Sequence, residues 1–335
     1  MRAASGLDGE AAAPQFAAMP DHTPMTTASM KPASMKTAGA LPPQAVGLML
    51  VLCLVWGLNL VAIKLGNAGI PPVLQAGLRS VVAALLLLGW CRWRGIRLDD
   101  WRRGGTLWPG MLAGLIFGLE FIALFIGVGL TTASRGVVFL YGAPFFVALG
   151  AHWLIPGDGL TRAKAVGLLV AFGGLLLAFA EGLRAPAGDA ALLGDALCLL
   201  AGALWGATTV LVKASRLGSA SPLLVLLYQL VVSAPLLLIA SPLLGESWWI
   251  APGPLAVGAL LYQGVVIAGI SYATWFWLVS RHSASRLAAF SVLTPIFGVL
   301  AGWALLGDRL GSLFGAAVVL VALGLWLVNR PAPTP

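Results

Sequence analysis

The sequence predicts an all-α polytopic membrane protein whose ten transmembrane helices form two inverted five-helix repeats. Three observations lead to this prediction: the composition, a series of long apolar segments, and motifs that occur twice. Hydrophobic residues make up 59% of the 335 residues and charged residues only 10%, whereas an average soluble domain has about 25% charged residues. So few charges cannot cover a water-facing surface. This excludes an ordinary soluble enzyme, a disordered chain and, despite the net charge of +8, a nucleic-acid-binding protein.

The apolar segments begin near residue 46, and each is long enough to cross the hydrocarbon core, which requires about 20 helical residues. Turn formers and charged residues separate them, for example Pro71-Pro72 and Gly157-Asp158-Gly159. The predicted spans are 46–65, 72–91, 107–130, 136–155, 163–183, 190–212, 222–244, 255–280, 285–306 and 310–329. We therefore predict a first five-helix repeat over residues 45–185 and a second over residues 186–330.

Residues 1–44 differ from the rest of the chain because they are rich in Ala, Pro, Met, Thr and Ser and contain no apolar run. No apolar stretch follows Arg2, so a cleaved secretory signal is not predicted. A segment of this composition cannot bury enough apolar surface to offset its ordering entropy. The sequence therefore predicts a disordered N-terminal tail.

The distribution of Lys and Arg predicts the orientation. With a cytoplasmic N-terminus, 15 basic residues fall on the cytoplasmic side and four on the opposite side, while Arg79 lies inside a span. Cytoplasmic loops of membrane proteins carry the excess of Lys and Arg. We therefore expect a multi-pass protein of the inner (plasma) membrane with both termini in the cytoplasm.

Two motifs recur in the same order in the two halves. Trp56, Gly57, Val61 and Lys64 recur as Trp205, Gly206, Val210 and Lys213, 149 residues later. The triplet Ala-Ser-Arg at 133–135 precedes Pro144, and the same triplet at 284–286 precedes Pro295. Because each half has an odd number of helices, the second half starts from the opposite face of the membrane. Inverted repeats of this kind are typical of alternating-access transporters, whose substrate site lies near the midplane between the repeats.

These residues resemble the EamA-type transporters of the drug/metabolite transporter superfamily. The resemblance rests on Trp-Gly in the first helix of each half, a Pro in the fourth, and the acidic motifs Gly157-Asp158-Gly159-Leu160 and Gly307-Asp308-Arg309-Leu310. The family usually has Glu where this chain has Asp. The resemblance covers residues 46–329 and implies ten helices from a duplicated five. It also implies export or exchange of small organic solutes, often amino acids or related metabolites.

Glu120 is the only acidic residue predicted to lie in the middle of a span. A charge at that depth costs about 2.5–3.5 kcal/mol on insertion scales, so it usually faces the bundle interior or an aqueous cavity. It could contact a substrate amine or carry a proton, or it could be a structural ion-pair partner. Arg79 could pair with Glu120 or bind a substrate carboxylate, or its long side chain could extend to the interface.

Other mid-span polar and aromatic residues complete the predicted substrate and proton pathway. Polar groups in hydrocarbon need partners, so they either join helices or line a cavity. With Glu120 and Arg79, the predicted pathway residues are Asn59, Trp56, Trp205, Thr209, Gln229 and Tyr272. Pro144 and Pro295 interrupt the hydrogen bonding of their helices, which predicts either hinges or static kinks.

The sequence contains no H-E-x-x-H, G-x-S-x-G or P-loop motif, so no enzyme activity, metal or other cofactor is predicted. We expect a secondary active transporter that exports small amino-acid-like or other polar or amphiphilic metabolites. A gradient drives this export, and inward movement of protons is one gradient that could do so. The expected partners are a small-molecule substrate and the lipid bilayer, without nucleic acid, for a monomer or homodimer. A non-transporting scaffold or sensor is the alternative, and an intramembrane enzyme ranks third.

Overall fold

The computed structural model describes residues 40–96, 104–184, 190–248, 251–306 and 311–330, and within these ranges the chain forms helices and no strands. Residues 1–39 of the predicted tail and the second acidic motif at residues 307–310 lie outside the described residues. In the first half the helices are α1 (Pro43–Asn67), α2 (Pro72–Trp93), α3 (Leu107–Leu130), α4 (Ala133–Leu140), α5 (Ala143–Leu154), α6 (Arg162–Ala178) and α7 (Ala180–Arg184).

The second half repeats this order with one irregular helix. Its elements are α8 (Ala191–Ala214), a 3₁₀ turn (Arg216–Ser219), α9 (Pro222–Leu243), α10 (Pro254–Tyr262), a π-helical segment (Gln263–Ser271), α11 (Tyr272–Arg281), α12 (Ala284–Phe290), α13 (Leu293–Leu306) and α14 (Phe314–Asn329). The π-helical segment joins α10 and α11 into one continuous span, Pro254–Arg281. The sequence predicted the span but not its π geometry.

Eight helices or continuous helix runs in the described residues are long and apolar enough to cross a membrane. The predicted fifth and tenth spans are shorter, with 17 residues in α6 and 16 in α14. These two helices pack against each other at glycines. A Cβ atom added to Gly167 would lie 2.7 Å from the carbonyl oxygen of Gly324. Such close backbone approach is typical of small residues at membrane helix interfaces.

The fourth and ninth predicted spans are each broken by a turn that lies nearer their start than their end. A turn at Tyr141-Gly142 separates α4 from α5, and a turn at residues 291–292 separates α12 from α13. Pro144 and Pro295 lie in the first turn of the helix that follows each break. Proline is tolerated there because the N–H groups of a first turn have no partner within the helix. The breaks fall beside the two prolines that the sequence singled out as hinges or kinks.

Hydrogen bonds between distant segments show which helix termini lie together at each of the two ends of the helix bundle. At one end, named the Lys64 end, Glu246 accepts hydrogen bonds from the backbone N–H groups of Val73 and Leu74, at 2.9 and 2.8 Å. At the other, named the Asp158 end, Asp158 contacts the start of α12.

The first helices of the two halves run in opposite directions between these ends. Helix α1 has 25 residues and finishes at the Lys64 end, with Lys64 in its last turn. Helix α8 begins at the Lys64 end, where Asp195 is paired with Arg135. It finishes at the Asp158 end, where Lys213 Nζ donates a hydrogen bond to the carbonyl oxygen of Val279.

Candidate substrate-binding cavity

A cavity of about 140 Å³ lies between the two halves at the level of the helix breaks. Helices α1, α2, α3, α8 and α9, the π-helical segment and α11 all contribute side chains to its wall. All eight residues that the sequence singled out for the pathway line it, namely Trp56, Asn59, Arg79, Glu120, Trp205, Thr209, Gln229 and Tyr272. Residues up to 216 positions apart in the chain therefore meet in one place.

Two opposite charges face this cavity without neutralising each other directly. Arg79 is only 3% exposed, so its side chain does not extend to the interface. Its guanidinium carbon lies 4.1 Å from the ring centroid of Phe121, in a cation–π contact. Within the described part of the chain, no ion pair joins Arg79 to Glu120, and Arg79 Nε, Arg79 Nη2 and Glu120 Oε2 have no hydrogen-bond partner. The two charged groups are therefore free to accept partners from a bound molecule.

Two buried amides add further unpaired acceptors to the same wall. Gln229 is 0% exposed, and its Nε2 donates to the carbonyl oxygen of Val225 at 3.3 Å. Its Oε1 and the Oδ1 of Asn59 have no hydrogen-bond partner among the described residues. Buried polar atoms are usually hydrogen-bonded. Four side chains with unpaired atoms around one cavity therefore indicate a place for a polar ligand.

Aromatic rings form the rest of the wall and connect the two halves. Trp56 of α1 donates its Nε1 hydrogen to Ser271 Oγ at 2.8 Å and packs edge-on against Tyr272 and Trp275. In the other half, Trp205 packs edge-on against Tyr141, with ring centroids 5.7 Å apart. The repeat-equivalent tryptophans are thus cavity walls, each in contact with an aromatic residue of the opposite half.

A larger cavity of about 540 Å³ connects this site to the Lys64 end. It shares Arg79, Phe121 and Leu124 with the inner cavity, and the exposed residues Lys64 and Asn67 line it at the surface. We call it the vestibule. Among the described residues, its charged lining residues are Lys64 and Arg79.

At the opposite end, four residues form a buried polar cluster: Asp158, Lys164, Ser283 and Ser285. Asp158 accepts hydrogen bonds from Lys164 Nζ at 2.7 Å and from Ser283 Oγ at 2.6 Å. Burial alone would raise the pKa of the Asp158 carboxyl, but the hydrogen bonds from Lys164, Ser283 and Ser285 and the ammonium charge bring its pKa below the ordinary value. Asp158 is therefore ionised at neutral pH.

Sequence reasoning identified the charged and amide residues of the cavity but missed several of its other parts. Phe117, Phe121 and Tyr141 line it, yet they lie in apolar runs where nothing distinguishes them from lipid-facing residues. Asp158 was noted only as part of a family motif, and Lys164 was not singled out. The repeated Ala-Ser-Arg triplet was the available signal for Ser285, since it marks a polar start to an otherwise apolar helix.

Comparison with known proteins identifies the family. A family model described as "EamA-like transporter family" matches the chain twice, over residues 44–180 and 192–330. A solved crystal structure superimposes with a TM-score of 0.73 at 19% identity, covering 85% of this chain and 96% of that chain. This likeness shows the fold.

Curated relatives match over nearly their full length. A protein of Salmonella typhimurium named "probable amino-acid metabolite efflux pump" is 29% identical, covering 84% of this chain and 93% of that protein. An Escherichia coli protein of the same name is 27% identical. An uncharacterized transporter of Bacillus subtilis is 25% identical, covering 82% of this chain and 92% of that protein. Because the two family matches together span most of the sequence, this chain belongs to the EamA-like transporter family and is a multi-pass membrane transporter.

Proposed function

We propose that the protein is a secondary active transporter that exports small amino-acid-like or other amphiphilic metabolites across the inner membrane by alternating access. One observation carries this proposal. Unpaired groups of both charges, on Arg79 and Glu120, face one cavity that is lined otherwise by aromatic rings and amides.

The chemistry of the wall matches a zwitterion that has an apolar side chain. Arg79 offers two unpaired nitrogen donors, Nε and Nη2, to a carboxylate, since its guanidinium presents donors in a fixed planar fork. Glu120 Oε2, Asn59 Oδ1 and Gln229 Oε1 offer three acceptors, which suit the three donors of an ammonium group. The aromatic rings favour an apolar side chain. The names of the Salmonella and Escherichia coli relatives support an amino-acid-like substrate.

The proposed architecture is ten transmembrane helices in two inverted repeats, residues 45–185 and 186–330. The two separate matches to one family model support the duplication. The opposite directions of α1 and α8 support the inversion. In this arrangement α6 and α14 are the fifth and tenth spans, and the binding cavity lies between the repeats, as in other inverted-repeat transporters.

The proposed orientation has the Asp158 end and both termini in the cytoplasm. The chain alternation places Arg92, Arg162, Arg216, Arg281 and Arg330 at this end, in agreement with the positive-inside rule. The vestibule then faces the outside. A reporter fused after residue 103 should read cytoplasmic and one fused after Glu246 periplasmic, and the opposite reading of either would contradict this orientation.

The proposed driving force is a gradient, with proton coupling through Glu120. The sequence has no nucleotide-binding motif, and Glu120 is the carboxylate that faces the cavity. In proteoliposomes with a pH gradient, Glu120→Gln should lose gradient-driven accumulation and retain exchange. Unchanged accumulation in this variant would exclude the proton role and leave Glu120 as a binding or structural group.

The deciding experiment is counterflow of radiolabelled amino acids and related metabolites in proteoliposomes containing the full chain. We expect exchange of at least one zwitterion and its loss in Arg79→Gln. Glu181→Gln is the matched control, because Glu181 is an exposed carboxylate on α7 outside the cavity. Absence of flux for the whole panel would favour the alternative, a scaffold or sensor.

A further inference from the structure

We propose that the polar cluster at the Asp158 end is a latch that holds this end closed and must open once in every transport cycle. The latch consists of Asp158, which follows the fourth span, Lys164, which lies in the first turn of the fifth, and Ser283 and Ser285, which start the ninth. The proposal rests on alternating access as the proposed function. It assigns the closing contact of that cycle to four named side chains.

The cluster is buried and fully hydrogen-bonded. Asp158 is 3% exposed and Lys164 is 4% exposed. In addition to Lys164 and Ser283, Asp158 accepts hydrogen bonds from the hydroxyl of Ser285 and from its backbone N–H, the latter at 3.1 Å. Lys164 Nζ also donates to the carbonyl oxygen of Gly159 and to Ser285 Oγ, each at 3.0 Å. Its three hydrogens therefore all have acceptors.

The position of the cluster matches the closed end of the pathway. Helix α12, which starts beside Ser283, packs against α5 of the fourth span at the Asp158 end. At the Lys64 end, α4 and α13 instead line the vestibule. The same two spans therefore meet at one end and border an open space at the other. The breaks at residues 141–142 and 291–292 lie between these two places, where each span could bend.

The hydrogen bonds that join the two halves at the latch come from neutral groups, while the ion pair lies within one half. Asp158 and Lys164 are six residues apart in the chain, so their ion pair belongs to one half of the molecule. The hydrogen-bond donors from the other half are Ser283 and Ser285, which are neutral. The cations Arg286 and Lys213 of that half also interact with Asp158 through their charges. When the halves separate, the ion pair stays together and water can replace the hydroxyl and amide donors.

The test measures access to the cavity from each side of the membrane. The three native cysteines, Cys53, Cys91 and Cys198, are buried and free and are replaced by alanine. Leu124→Cys then places one thiol where the cavity and the vestibule meet. Labelling with a membrane-impermeant maleimide is followed in right-side-out and in inverted vesicles. Access to this thiol can be read without any substrate.

We expect Ser283→Ala with Ser285→Ala to increase labelling in inverted vesicles by about tenfold or more, because several hydrogen bonds to a charged group are lost. Labelling in right-side-out vesicles should fall. Ser219→Ala is the matched control, since this exposed hydroxyl bonds only to the carbonyl oxygen of Arg216 within the 3₁₀ turn. Unchanged labelling from both sides in the folded double variant would overturn the latch.

A reversible crosslink provides a second measurement if the double variant does not fold. Asp158→Cys and Ser283→Cys replace two side chains that are now in contact, and Lys164→Met removes the ammonium group that would otherwise lose its partner. Labelling of the thiol at position 124, separated from the two latch thiols by peptide mass spectrometry, should be abolished in inverted vesicles by oxidation and restored by reduction. Continued labelling of the fully oxidised protein would overturn the proposal. Because labelling needs no substrate, failure of the proposed export would appear only in the flux assay.

Discussion

The cavity and the latch are both groups of buried polar side chains between the two halves, but their hydrogen bonding differs. In the cavity, Arg79, Glu120 and Gln229 keep atoms that have no partner among the described residues. In the latch, Asp158 and Lys164 have every strong donor and acceptor engaged. Burial alone therefore does not identify a binding site. Unpaired atoms around an open space indicate a place for a ligand, whereas a saturated cluster indicates a contact of the protein with itself.

The largest expected effect is on stability at the latch. Lys164→Met leaves the Asp158 carboxylate buried without its ion-pair partner, which should cost about 3–5 kcal/mol of unfolding free energy. Thermal unfolding in detergent measures this loss. Adding Asp158→Asn should recover most of it, because no uncompensated charge remains.

Arg79→Met is the matched comparison in the cavity, since Arg79 has no ion pair to break. Here we expect a change of about 1 kcal/mol, the size of the lost cation–π contact with Phe121. A loss as large as that of Lys164→Met would show that Arg79 is a structural residue, and the distinction between cavity and latch would fail.

The second effect is on transport through Glu120. Removing its charge should weaken binding of a zwitterion by about tenfold or more, because a hydrogen bond to a charged group contributes about 1.5–3 kcal/mol. The measurement is the concentration dependence of counterflow by Glu120→Gln. Detergent-solubilised Glu120→Gln should unfold at the same temperature as the wild-type protein. If Glu120→Gln keeps its affinity for the zwitterion but unfolds at a lower temperature, Glu120 is a structural residue like those of the latch.

A smaller effect is expected for the amide of Gln229. Gln229→Leu removes one neutral acceptor from the cavity, so the apparent affinity should fall by about 0.5–1.5 kcal/mol. Stability should be equal or slightly higher, since the variant no longer buries an unpaired carbonyl oxygen. Thr208→Val is the control. Thr208 also lines the cavity, but its hydroxyl donates to the carbonyl oxygen of Leu204. Equal effects of both variants would show that the loss is not specific to the unpaired oxygen.

The smallest effect is expected for the N-terminal tail. Deleting residues 2–34 should leave both unfolding temperature and transport unchanged, because the segment is predicted to bury little apolar surface. Size-exclusion chromatography and counterflow of the shortened protein provide the check. Loss of folded protein on deletion would show that the tail contributes a contact that its composition does not reveal.

Sequence reasoning could single out residues that line the cavity because the membrane restricts where polar residues can occur. A polar or charged side chain in a long apolar segment usually faces the bundle interior or an aqueous cavity. Four such residues could therefore be identified before their neighbours were known: Glu120, Arg79, Asn59 and Gln229. Aromatic residues such as Phe121 have no such restriction, since they occur both at lipid-facing positions and in the wall of a cavity. The latch residues lie near the ends of spans, where polar residues are ordinary.

The sequence by itself determined that the chain is a helical membrane protein with a recurring motif, because composition and the length of apolar segments are properties of the chain alone. Only the tertiary structure decided that Arg79 stacks on Phe121 rather than pairing with Glu120, and that Ser283 and Ser285 meet Asp158. These contacts depend on the rotation and offset of packed helices, and the serine contacts join residues 125 and 127 positions apart in sequence. Differences of a few ångströms in that packing separate a hydrogen bond from no interaction.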